Sequence, residues 1–344
     1  MSIVGGLDIH RHQVTFDVLD TVSGQAWLGQ VRPADREHLR AWLARFAGSG
    51  QVDLAMEGCT GWRYVAEEVR AAGFTAHVGD PAEIAARRGP KKRAKSDRAD
   101  ARLQRQLLAK GEFPECWVPP SAVLDWRQRL ESYHDLRAQH TAWVQRIRAV
   151  LFHHGAPAIS AGIGTAAGQA ALAQACGQYL SDAGRGQVEL ALAQLDLADR
   201  QMLAARKVLT AAGRHVTGAR VLADRLYGVG PVTGLAMTCW LGGAGRFTSS
   251  RQAVRFAGLD ITVHSSAGKR SPGHLSRQGP PVLRWCLYEA AKVAARPGAP
   301  GHAYYAQVKD RIDGKRAALS QARRLARHGM HILDSLGDDA FTPC

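Results

Sequence analysis

No apolar run in the chain approaches the roughly 18 to 20 residues needed to cross a bilayer, which argues against a membrane-spanning protein. The first residues, Met-Ser-Ile-Val-Gly-Gly-Leu-Asp, lack the basic start and long apolar stretch of a secretion signal. Cysteines are few and scattered (Cys59, Cys116, Cys176, Cys239, Cys286, Cys344), with no Cys-x-x-Cys pair. That excludes a disulfide scaffold or a cysteine zinc site and fits a reduced cytoplasm, the expected location. No internal repeat and no low-complexity tail is present. Acids are short: 30 Asp+Glu against 45 Lys+Arg leave a formal charge of +15. What remains is a foldable composition, 46% hydrophobic and 22% charged, in 344 residues. That length suffices for two or three domains, each with its own core.

The positive balance points to a polyanionic partner, because neutralising phosphates releases counterions whatever the sequence. An anionic membrane surface would instead be met by one basic amphipathic helix, and here the charge forms several patches. Pro81 to Lys110 holds ten Lys/Arg and three acids, His264 to Arg284 four and none, and Tyr305 to His331 seven and two. Any one patch can be a solvated helix face; three together favour nucleic acid and no membrane.

Strand and helix signals alternate over the first 110 residues. Ile3 to Ile9, His12 to Leu19 and Ala26 to Val31 read as an antiparallel meander. Asp35 caps a helix carrying Leu39, Trp42, Leu43 and Phe46 on one face. A buried strand at Val52 to Met56, a helix with Trp62, Val65 and Val69, a strand at Phe74 to Val78 and a helix from about Ser96 to Ala109 complete an α/β domain over 1–112, a mixed five-stranded sheet flanked by helices. Residues 119–213 read as a helical hairpin or coiled coil, with apolar residues near heptad spacing from Leu124 to Phe152 and again from Val188 to Leu209. The Ala/Gly-rich stretch from Gly155 to Gly186 reads as loose helix and loop. Residues 214–335 form an α-helical domain punctuated by glycines.

Four acids suit metal binding. Asp8 lies inside the first strand pattern, where a carboxylate is costly unless paired or bound to a cation. Glu57 ends the fourth strand. Asp97 and Asp100, at i and i+3 near a helix start, project from one face. Hard cations such as Mg²⁺ take carboxylate oxygens and substrate phosphate together. Helix-dipole acids and a capping role are the ordinary readings of Asp97, Asp100 and Glu57; a mid-strand aspartate has fewer structural uses. Lys91, Lys92, Arg93 and Lys95 place basic charge beside the last two acids, as an enzyme acting on a phosphodiester needs.

Gly6-Leu7-Asp8-Ile9, Met56-Glu57-Gly58-Cys59-Thr60-Gly61 and Lys95-Ser96-Asp97-Arg98-Ala99-Asp100-Ala101, in this order, resemble the ribonuclease-H-like (RuvC-type) domain of the DEDD transposases of the insertion-sequence one-hundred-and-ten family. The resemblance spans nearly the whole chain.

Toward the C-terminus, Leu226-Tyr227-Gly228-Val229-Gly230-Pro231 followed by Val232 to Leu241 reads as helix, turn, helix. Gly228 and Gly230 let backbone approach a phosphate, as in a helix-hairpin-helix; a plain interhelical turn is the alternative. Val263 to Gly279 sets small hydroxyls among cations and reads as an exposed basic loop contacting phosphate through Lys269, Arg270 and Arg277. A serine there needs a proton acceptor, such as His264 or a metal-bound hydroxide, and cations to stabilise charge on the phosphoryl oxygens. The close histidine pairs, His10/His12 among them, read as structural or phosphate-facing.

This segment is similar to the family's C-terminal transposase domain. Ala257-Gly258-Leu259 as anchor places the family's nucleophilic serine on Ser266, with Ser265 as alternative. Ala267 stands where the family has glycine, and Arg277-Gln278-Gly279 replaces Lys-x-Gly. The resemblance implies a DNA recombinase in which Asp8, Glu57, Asp97 and Asp100 hold Mg²⁺ (Mn²⁺ as substitute) and a serine attacks DNA. It also implies a structured non-coding guide RNA and a homodimer or tetramer joined by the helical region. The rivals are a junction-hydrolysing nuclease using the acids alone and a non-catalytic nucleic-acid-binding protein.

Overall fold

The computed structural model describes residues 2–88, 96–262, 264–266, 269–271 and 273–344, with backbone alone at 2, 264–266 and 269–271. The chain divides into two compact units, Met1–Val118 and Pro119–Cys344.

In the first unit the elements run β1 (Ser2–Ile9), β2 (Val14–Asp20), β3 (Ala26–Val31), α1 (Arg36–Leu43), β4 (Gln51–Glu57), α2 (Trp62–Ala71), β5 (Thr75–Gly79), α3 (Pro81–Ala86) and α4 (Asp97–Ala109). The sheet order is β3-β2-β1-β4-β5. β1 pairs antiparallel with β2 and parallel with β4, and β5 is parallel to β4. This mixed sheet with flanking helices is consistent with a ribonuclease-H-like fold.

Side chains alternate across a strand, and that alternation separates the two faces. Ile3, Leu7 and Ile9 of β1 join Val14, Phe16 and Val18 of β2 and Val52, Leu54 and Met56 of β4 in one apolar core with α1 and α2. Leu7, Leu54 and Met56 are fully buried, and each such side chain contributes about 1.5–3 kcal/mol. The intervening residues, Gly6 and Asp8 of β1, Asp17 of β2 and Glu57 of β4, belong to the opposite face. There α4 crosses β1, β2 and β4.

Two features hold α4 down. A Cβ on Gly6 would lie 1.9 Å from the carbonyl oxygen of Ala101, so only glycine lets the helix backbone come this close. Asp17, 1% exposed, accepts from Arg105 Nε at 2.5 Å and Arg102 Nε at 3.1 Å, both on α4. The Gly6 of the motif is thus a packing glycine beneath the helix that carries two of the acids.

The second unit runs α5 (Ser121–His153), α6 (Ala166–Tyr179), α7 (Asp182–His215), α8 (Thr217–Arg225), α9 (Pro231–Leu241), α10 (Ser250–Phe256), β6 (His264–Ser266), β7 (Lys269–Ser271), α11 (Pro281–Ala294), α12 (His302–Arg311) and α13 (Gly314–Leu336). The two long helices lie antiparallel. Val123, Leu130 and Tyr133 near the start of α5 meet Leu209 and Ala212 near the end of α7 in a large core shared with α8, α9, α11 and α13. At the far end Ile147 and Leu151 meet Val188, Ala191 and Leu195 in a small separate core. That core is completed by Leu172 and Ala175 of α6, an element the Ala/Gly composition obscures; Thr165 caps it through a bond from Gly168 N. All six cysteines are free. Burial pushes the Cys239 and Cys286 thiols up to about 12, so both pack as small apolar groups. No helix among the described residues is long and apolar enough to cross a membrane.

Candidate active site

Register brings the acids of the first unit together. Leu7 pairs with Met56 across the parallel β1–β4 ladder, so Asp8 and Glu57 stand side by side at the carboxyl ends of neighbouring strands. Asp97 opens α4, whose N-cap Ser96 accepts from Ala99 N at 3.3 Å, and a helix N-terminus favours negative charge. Asp8, His10 and Asp97 each offer one ligand atom, all within 4.8 Å of one another. Asp100, one turn along α4, is 7% exposed and meets Arg88 Nη2 at 3.0 Å. Glu57 is half-buried and outside the three-residue cluster.

Electrostatics ties the group into one field. The Asp8 carboxyl lies above its ordinary value of 3.8, first because burial penalises its charge, and then because Asp97 and Asp100 repel it; His10 opposes both. The half-buried Cys59 thiol is pushed up first by burial, and then by the charges of Glu57 and Asp8. The donor set fits a divalent cation. Its carboxylate oxygens suit a hard ion, and a cation would relieve the repulsion that raises Asp8.

The sign of the Asp8 shift has a measurable consequence. A carboxyl bound more tightly by its proton in the folded state contributes stability that is full below the ordinary value of 3.8. That contribution is lost as pH rises through the raised folded value. Asp8→Asn keeps the shape without the charge. In EDTA its urea midpoint relative to the parent should therefore rise between pH 3.8 and neutrality; a constant difference across that range contradicts the burial argument.

His10 corrects the sequence reading. Read there as structural or phosphate-facing, it meets two acids: its Nε2 lies 3.1 Å from Asp8 Oδ2 and 3.5 Å from Asp97 Oδ1. The spacing carries a signal: Asp8 is the penultimate residue of β1 and His10 the first beyond it, so both belong to the same strand end. A further support appears beneath it, where Gln13 Nε2 donates to Asp97 Oδ2 at 2.9 Å and Arg32 donates to Gln13 Oε1.

In the second unit, Asp260 to Thr262 and His274 to Ser276 form a hydrogen-bonded stem. Thr262 N and Ser276 N donate to His274 O and Asp260 O at 2.9 and 3.0 Å. Above it β6 and β7 pair antiparallel, with Ser266 opposite Lys269 and Ser265 opposite Arg270. The basic loop is therefore a short hairpin by its backbone. The side chains of Ser265, Ser266, Lys269 and Arg270 lie outside the described residues, as do Lys91, Lys92, Arg93 and Lys95 altogether. Ser276 is a structural hydroxyl, bonded to Asp260. Arg277 is exposed, with φ +55°. Burial first, and then Arg277, hold the Arg284 guanidinium below its ordinary value, and Arg284 Nη1 is buried with no hydrogen-bond partner among the described residues.

The two turn glycines differ. At Gly228, φ is +88° and a Cβ would meet Ala290 O at 2.5 Å, so this glycine serves packing against α11. Gly230 precedes Pro231 at the start of α9, with open space where its Cβ would be. Of the last basic patch, Arg323 is engaged by Leu259 O at 2.6 Å and Arg324 lies over Tyr304, whereas Lys315, Arg316 and Arg327 are exposed.

Two family profiles match the chain. Residues 5–154 match the profile of the IS110-type DEDD transposases, and residues 221–306 match the profile described as transposase, IS116/IS110/IS902 family. The chain belongs to the IS110 family of DEDD transposases, enzymes that cut and rejoin DNA. It is also similar to a probable family 20 transposase of Pseudomonas aeruginosa, 25% identical over 260 residues that cover 71% of each chain.

Proposed function

We propose that the protein moves an insertion sequence by serine-mediated strand exchange, with Asp8, Glu57, Asp97 and Asp100 as its acidic centre. The observation that carries this reading is the meeting of Asp8 and Asp97 from β1 and α4, with Glu57 on the adjacent strand end and Asp100 on the same helix. A divalent cation held by these carboxylates, Mg²⁺ with Mn²⁺ as substitute, would supply charge stabilisation for a phosphodiester's oxygens.

The nucleophile is Ser266, with Ser265 as alternative. Its Oγ forms a bond to phosphorus, the bond from phosphorus to the 3′-oxygen breaks, and that oxygen leaves with a proton as a free 3′-hydroxyl. The serine proton passes to a base in the site, for which His264 is the nearest candidate along the chain. Reversal on another strand's 3′-hydroxyl restores the serine and conserves the bond. Arg277 and Arg284, two cations beside the hairpin stem, contact phosphate, together with Lys269 and Arg270. Lys91, Lys92, Arg93 and Lys95 supply backbone contacts near the acids, and Gly230, with its N–H groups at the start of α9, adds another.

The acids and the serine belong to different units, so a complete site requires docking of the second unit on a first, from the same copy or another. Homodimer or tetramer formation through residues 119–213 meets that need. A structured non-coding RNA pairing with donor and target DNA selects the sites, while the protein holds its shape and phosphates.

Trapping on element-end DNA tests the chemistry. Ser266→Ala should abolish the covalent protein–DNA adduct, and Ser265→Ala should leave it; the reverse pattern would move the nucleophile to Ser265. Full strand cleavage by the double variant would instead establish hydrolysis by the acids alone.

A further inference from the structure

We propose that His10 is a third donor of the acidic centre, its Nε2 completing the cluster with Asp8 and Asp97 and tilting the site toward divalent cations that accept nitrogen. The proposal rests on the reading of Asp8 and Asp97 as cation-binding carboxylates. His10 follows the last residue of β1, where its N–H donates to Gln13 O at 2.9 Å and closes the turn to β2. That turn presents the ring at the same strand end as Asp8.

The spacing supports shared ligation. Donors cis to one another in an octahedral shell of radius about 2.1 Å stand roughly 3.0 Å apart. The Nε2 atom of His10 is 3.1 Å from Asp8 Oδ2 and 3.5 Å from Asp97 Oδ1, and the three donors fall within 4.8 Å of one another. Small adjustments bring them onto one ion.

Asp97 is also oriented for this role. Its Oδ2 accepts from Gln13, which Arg32 holds in turn, and so Oδ1 is the oxygen left toward His10. Outer-shell bonds of this kind fix the direction of a ligating carboxylate. The His10 side chain is 54% exposed against 15% for Asp8, so the ring lies at the mouth of the site and can be replaced without opening the core.

Chemistry then sets the preference. Carboxylates and water satisfy Mg²⁺, whereas an imidazole nitrogen adds most for transition ions. Mn²⁺ should bind more tightly than Mg²⁺, and His10→Gln should weaken Mn²⁺ by roughly tenfold while changing Mg²⁺ far less.

The test uses Mn²⁺ bound to the full-length protein without DNA, read by electron spin echo modulation from directly coordinated nitrogen. The expected result is nitrogen modulation in the parent protein and its loss in His10→Gln, whose melting temperature should match the parent's. Mn²⁺ bound without nitrogen modulation, yet lost in Asp8→Asn, would overturn the role of His10 and leave the carboxylate centre standing. Absence of Mn²⁺ binding, or binding indifferent to Asp8→Asn, would overturn the centre and His10 with it.

Discussion

Asp8→Asn should reduce strand cleavage by about a thousandfold or more. The side chain keeps its size and strand position, but the charge that would draw a cation to the end of β1 is gone. A cation at a phosphodiester supplies several kcal/mol of transition-state stabilisation, and each 1.36 kcal/mol is a factor of ten. Asp97→Asn should act in the same direction, because its carboxylate shares the cluster. DNA affinity in a gel-shift assay should survive or rise in both variants, since a negative group near phosphate is removed. A protein that binds nucleic acid without cutting it would show no metal-dependent cleavage in the parent and no loss in either variant. The two readings separate on one gel.

Gly6→Val should cost about 3 kcal/mol or more of stability in the first unit. Overpacking an ordinary core costs about 1–3 kcal/mol. Here the obstacle is helix backbone: even a Cβ would lie 1.9 Å from Ala101 O and 2.6 Å from Arg105 N. Either α4 lifts from β1 or the strand shifts, and the Asp17 bonds to Arg102 and Arg105 are lost with the first of these. Because α4 carries Asp97 and Asp100, cleavage should fall further than stability alone explains. Chemical denaturation followed by tryptophan fluorescence gives the first quantity, and cleavage by the remaining folded protein gives the second. Gly6→Ala should lie between Gly6→Val and the parent; a Gly6→Val protein with parental stability would contradict the close approach of helix and strand.

Strand period carried much of the first unit. The apolar run at Ile3 to Ile9, the alternation from His12 to Leu19, the buried strand at Val52 to Met56 and the Asp35 cap each correspond to an element found within one or two residues of its expected bounds. The oddity of an acid inside a strand is explained by its position: Asp8 sits on the face that α4 covers, beside the helix's own acids. Partners supplied from elsewhere in the chain were less legible. Arg88 on Asp100 and Gln13 on Asp97 depend on turns whose geometry no local pattern encodes. His10 was hidden for a different reason. As one of a close pair with His12 it reads as structural or phosphate-facing, and its proximity to Asp97 arises only when α4 crosses the strand end. In the second unit α6 was obscured because it buries one large side chain, Leu172, beside Gly168 and Ala175, which carry little periodic signal, and Gly228 proves to be a packing contact with α11.

Anomalous scattering from crystals of the full-length protein grown with Mn²⁺ most directly tests the convergence of the acids. The predicted result is a peak about 2.2 Å from carboxylate oxygens of both Asp8 and Asp97, with Glu57 or Asp100 reaching the same ion or a second one nearby. Well-ordered Asp8 and Asp97 side chains with no peak between them, in a preparation that still cuts DNA, would contradict it.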